Sequence, residues 1–86
     1  MLIKVTQEDI DQGRKNVSLG KIVGKSCPVA LAIRRNFPHF QDYVGRTKIL
    51  RYGEPEILFQ QSVIDWINAF DTETQEVEPF EFELNI

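Results

Sequence analysis

What this 86-residue chain lacks narrows its chemistry first. It has one cysteine, Cys27, so no disulfide can form within the chain. It has one histidine, His39, and no cysteine–histidine cluster, so no metal or other cofactor is expected. A nucleophile would have to work without a second histidine or an oriented acid, and the expected protein is therefore not an enzyme. No apolar run approaches the roughly 20 residues that cross a bilayer. Residues 1–6 lead straight into acids rather than into a signal-peptide core. These absences point to the cytoplasm and to a protein without membrane contact. At this length one domain, 1–86, with a modest core is expected. With disulfide and metal both missing, self-association is the support that remains, and a homo-oligomer is expected.

Basic residues are missing from residues 52–86, which net −9, and acids are nearly missing from residues 14–51. The latter hold Arg14, Lys15, Lys21, Lys25, Arg34, Arg35, Arg46, Lys48 and Arg51 against Asp42 alone, a net of +8. Residues 1–13 net −2, and the whole chain −3. Such segregation has two readings. The halves can neutralise each other within the fold, as opposite charges do across paired strands. Alternatively, a basic face can meet an anionic ligand. Internal complementarity is the favoured reading.

What is present reads as alternating short elements. Residues 1–6 form a strand with Ile3 and Val5 on one face. Thr6-Gln7-Glu8-Asp9 is a helix cap opening a single short turn that stops at Gly13. Residues 14–24 read as a loop or weak strand interrupted by Gly20 and Gly24. The most organised stretch is residues 24–38. Ser26 or Cys27 is the N-cap, Pro28 suits the first helical position, and Pro38 stops a short apolar helix. Residues 43–52 read as one strand and residues 57–59 as its hairpin partner. Ser62 with Asp65 reads as the next cap, and Val63, Trp66, Ile67 and Phe70 share one helix face. Residues 71–78 are an acidic loop. Phe80, Phe82, Leu84 and Ile86 then alternate with Glu81, Glu83 and Asn85, a half-buried strand. The class is α+β: a small antiparallel or mixed sheet with two short helices on one face. Its order, βαββαβ, is that of the ferredoxin-like arrangement, with another small α+β sheet as the alternative.

Candidate chemistry centres on anion binding. Gly20-Lys21-Ile22-Val23-Gly24-Lys25-Ser26 is one residue short of a nucleotide-hydrolase phosphate loop. Glycines before a helix amino end still offer N–H groups to a phosphate. The expected ligand-binding set is Lys21, Lys25 and Ser26 for phosphate, Arg46, Lys48 and Arg51 for a second charge, and Tyr43 and Tyr52 for stacking on a base. His39 reads as a packing or surface residue, Cys27 as buried or capping, Trp66 as core, and Glu81 with Glu83 as a solvated face. The acidic pI of about 5.0 argues against a general nucleic-acid binder.

Glu8-Asp9-Ile10, Cys27-Pro28-Val29-Ala30-Leu31-Ala32-Ile33-Arg34-Arg35, Val44-Gly45, Trp66-Ile67-Asn68-Ala69-Phe70-Asp71 and residues 80–84 form a pattern over most of the chain. It resembles a group of small uncharacterised bacteriophage proteins. The resemblance implies viral origin and, by analogy of class, a non-enzymatic protein in the host cytoplasm. Such a protein would sequester a small phosphate-bearing ligand, such as a signalling nucleotide, to counter host defence. The competing expectations are an inhibitor that covers a host protein with its acidic carboxy-terminal half, and a nucleic-acid-binding accessory protein.

Overall fold

In the computed structural model, which describes residues 1–72 and 76–84, the first strand β1 (Leu2–Val5) buries Ile3 and Val5 and turns Leu2 and Lys4 outward. It pairs antiparallel with the last strand, β5 (Phe80–Glu83), in the register Leu2 to Glu83 and Val5 to Phe80. Phe82 and Leu84 enter the core, while Glu81 and Glu83 face solvent as their alternation predicts. Asn85 and Ile86, expected to continue it, lie outside the described residues. Reciprocal bonds between Met1 and Leu84 extend the ladder by one pair.

Helix α1 (Gln7–Ser18) differs most from the sequence expectation of one short turn. Thr6 and Asp9 do form the capping box: the Asp9 N–H donates to Thr6 Oγ1 and the Thr6 N–H donates to Asp9 Oδ2. Gly13, however, does not end the helix. It is where α1 crosses the next long helix, and a Cβ there would lie 2.5 Å from Pro28 Cδ. The helix continues for a turn beyond it and ends at Gly20, whose φ of +73° suits glycine. The Gly20 N–H donates to Val17 O and the Lys21 N–H to Asn16 O, the two closing bonds of a Schellman motif.

After one turn of helix, α2 (Val23–Ser26), the chain enters α3 (Pro28–Asn36). Of the two cap candidates, Cys27 is the one used, with Ser26 ending α2. Val29, Ala30, Ala32 and Ile33 of α3 are fully buried. Polar bonds tie the first three helices together. Buried Asn16 donates to Ser26 O at 3.0 Å, Arg34 donates to Lys25 O, and Arg35 pairs with buried Asp9 while also donating to Lys4 O.

The expected strand over residues 43–52 is divided. β2 (Tyr43–Val44) and β3 (Lys48–Leu50) are antiparallel neighbours joined through residues 45–47, closed by the Gly45 N–H donating to Lys48 O. β4 (Ile57–Leu58) completes a three-stranded meander. Val44 and Ile49 are buried, and Ile57 packs against the same core. α4 (Gln61–Asp71) starts from Gln60 rather than Ser62. The Gln60 side chain makes no cap bond and reaches Glu83 O instead. Val63, Ile67 and Phe70 fill the core from its inner face.

The α+β class holds, but the strands form two sheets, β1–β5 and β2–β3–β4, with four helices among the described residues. The meander strands are two or three residues long and bond only with one another, so a single βαββαβ sheet does not form. No helix among the described residues is long and apolar enough to cross a membrane.

Candidate functional site

A ladder of rings joins α4 to β5. Trp66 stacks on Phe70 at 5.8 Å and on Phe80 at 4.6 Å between centroids, Phe80 stacks on Phe82, and Phe82 meets Phe59 edge-on. The i, i+4 spacing of Trp66 and Phe70 places them one above the other on α4. The Trp66 indole N–H donates to Glu78 O at 2.8 Å. At the ladder's other end the Arg14 guanidinium lies 4.7 Å from the Phe70 centroid, a cation–π contact from α1.

Beside this ladder opens a cleft of about 1070 Å³ between α1, the start of α3, β2 and α4. Trp66, Phe70 and Tyr43 give it aromatic walls, and Arg14, Arg46, Asp71 and Glu76 line it with charge. Arg46 Nε is 3.4 Å from Asp71 Oδ2, with the arginine side chain 74% exposed and the aspartate 20%. Asp71 is poorly placed as an anion. Burial pushes its pKa up, Arg46 only partly opposes this, and it is the last residue of α4, where helix carbonyls already concentrate negative charge. An acid whose ionisation is disfavoured in a cleft marks a functional-site candidate.

The eight residues expected to hold a ligand fall into three places. Tyr43 and Arg46 line the cleft. Lys21, Lys25 and Ser26 come together in a separate open groove beside α1 and α3. Lys48, Arg51 and Tyr52 belong to the meander, where Lys48 pairs with Glu56, Arg51 pairs with Asp42 and Glu54, and Tyr52 is fully exposed. The glycine-rich lead-in is not a phosphate loop. Gly20 ends α1, and Gly24 lies so close to the Tyr43 ring that a Cβ would come within 2.3 Å of it. Ser26 Oγ donates to Ile22 O. The amino end of α3 is closed as well, because Cys27 Sγ accepts the Ala30 N–H and buried Pro28 packs against Gly13.

Sequence reasoning missed Arg14, Phe70 and Asp71, and read Trp66 as core when it is half-buried at the cleft. Arg14 was hidden because the first helical turn was expected to stop at Gly13. The Trp66-to-Asp71 run was visible, but nothing local distinguishes a core stripe from a cleft wall.

Cys27 lines the cleft floor yet is poorly suited to nucleophilic work. Burial pushes its thiol pKa up, the Ala30 N–H opposes this only in part, and the Asp71 charge raises it further. The thiol therefore stays protonated near neutral pH. The folded state holds this proton more tightly than the unfolded state. The thiol's contribution to stability is thus unchanged below about pH 9 and falls as the pH rises past it. Urea titrations at increasing alkaline pH should show that Cys27→Ala flattens this decline. An equal alkaline slope in both proteins would show that the thiol is not its source. No protein-family profile, curated protein or solved structure matches this chain.

Proposed function

We propose that this protein is a non-enzymatic binder that sequesters a small ligand joining a planar ring to a phosphate, as a nucleotide does, in the cleft between α1, α3, β2 and α4. The purpose we assign, following the phage resemblance, is withdrawal of a host signalling nucleotide without cleaving it. The supporting observation is one cleft holding both aromatic walls and two guanidinium groups. Tyr43, 41% exposed, offers a ring to a base, whose stacking on an aromatic residue contributes about 1–3 kcal/mol, while the stacked Trp66 and Phe70 add apolar wall. Arg46, whose side chain is 74% exposed, can turn from Asp71 to a phosphate. That exchange leaves the Asp71 carboxyl without its partner and favours its protonation. Binding therefore tightens as the pH is lowered from neutral.

Trp66 is the only tryptophan, so its fluorescence reports the cleft directly. Titration with cyclic and linear nucleotides should give a saturable change with at least one of them. Arg46→Ala should weaken that binding about tenfold, and Asp71→Asn should remove its pH dependence. If folded protein shows neither a fluorescence change nor a thermal shift with any nucleotide, the reading is wrong.

A further inference from the structure

The corner between α1 and α2 has chemistry that the cleft does not use. Residues 12–41 contain six lysines and arginines and no acid. Four basic side chains are answered by carboxylates: Asp9 answers Arg35, Asp71 answers Arg46, Glu56 answers Lys48, and Asp42 with Glu54 answers Arg51. Among the described residues no such ion pair is made by Lys15, Lys21, Lys25 or Arg34. Lys21, Lys25 and Arg34 instead line the open groove with the amides of Gln12 and Asn16. The Schellman turn at Gly20 also pushes two aliphatic side chains into solvent beside it, with Leu19 61% and Ile22 62% exposed. The turn thus places uncompensated positive charge and exposed aliphatic surface at one corner.

We propose that this corner is a docking surface for an acidic, leucine-bearing segment of a partner protein. Charge complementarity selects an anionic partner, because several unanswered cations steer such a partner and repel a basic one. The aliphatic pair selects a protein segment over a nucleic acid. A phosphate backbone makes no use of Leu19 and Ile22, and the groove has no aromatic residue on which a base could stack. An acidic segment with leucines meets both features, its carboxylates on Lys21, Lys25 and Arg34 and its side chains against Leu19 and Ile22.

The test uses three fluorescein-labelled probes with the full chain: a peptide of glutamates and leucines, the same peptide with serines for leucines, and single-stranded oligothymidylate. Fluorescence anisotropy should show the glutamate–leucine peptide binding about tenfold more tightly than the serine version, as burial of a few apolar groups implies. Leu19→Ser with Ile22→Ser should erase that difference, and Lys21→Glu with Lys25→Glu should weaken both peptides. All four positions are exposed, so unchanged circular dichroism serves as the folding control. Equal binding of the two peptides overturns the proposal. So does tighter binding of oligothymidylate that ignores the Leu19 and Ile22 substitutions, an outcome that would assign the corner to a phosphate backbone.

Discussion

Trp66→Ala should destabilise the protein by about 3 kcal/mol, toward the lower end of the range for removing a large aromatic side chain. The indole is the middle ring of the stack from Phe70 to Phe80 and the donor to Glu78 O, so its removal detaches α4 from β5 at one point. Its face toward the cleft lets water enter the space left behind, which keeps the cost below that of a sealed cavity. For a domain of this size such a loss lowers Tm by about 12–24 °C. Trp66→Phe keeps a ring in the stack and loses the N–H bond, so about 1 kcal/mol is expected. Urea unfolding followed by far-ultraviolet circular dichroism measures both, since either change removes the fluorescent reporter. A cost below about 1 kcal/mol for Trp66→Ala would show that the ladder does not couple helix to strand.

Gly13→Ala is expected to destabilise by about 2 kcal/mol, although alanine is the better helix former by about 1 kcal/mol. The opposite sign of these terms makes the experiment decisive. The new Cβ would lie 2.5 Å from Pro28 Cδ and 2.6 Å from Cγ, and the buried proline ring cannot swing aside. The helices cannot simply separate either, because Asn16 holds Ser26 O and Asp9 holds Arg35 across the same interface. Pro28→Ala in the same chain removes the clashing ring, so the double variant should cost less than the sum of the single changes. Stabilisation by Gly13→Ala alone would mean that the close crossing does not constrain α1. At Gly24 the clash is with an exposed tyrosine ring, which can turn away. Gly24→Ala should consequently disturb the cleft wall more than the fold.

These two sites mark the boundary between the legible and the illegible. β5 was legible because Phe82 and Leu84 alternate with Glu81 and Glu83, a period of two that follows from backbone geometry alone. α3 and α4 were legible for similar local reasons, a proline at the first turn and an apolar stripe at helical spacing. α1 was not. Its inward residues are Asp9, Ile10, Gly13 and Asn16, only one of them strongly apolar, so the hydrophobic period that announces a helix is missing. A close backbone crossing and polar bonds hold it instead, and both depend on partners 10 to 26 residues away.

Charge shows the same division. The sequence by itself determined that bases and acids are segregated, that disulfide bonding within the chain is excluded, and that an α+β domain would form. Only the tertiary structure decided which charges meet. Arg46 closes on Asp71 at the cleft, while Lys21 and Lys25 remain together at the α1–α2 corner. It likewise gathered Arg14, Tyr43, Arg46, Trp66 and Asp71 from two helices, a strand and the turn after it into one cleft. Residue order carries local periodicity and caps, because these depend on neighbours a few positions apart. A cleft or an ion pair between distant segments depends on how whole elements pack, and that is fixed only when the core closes.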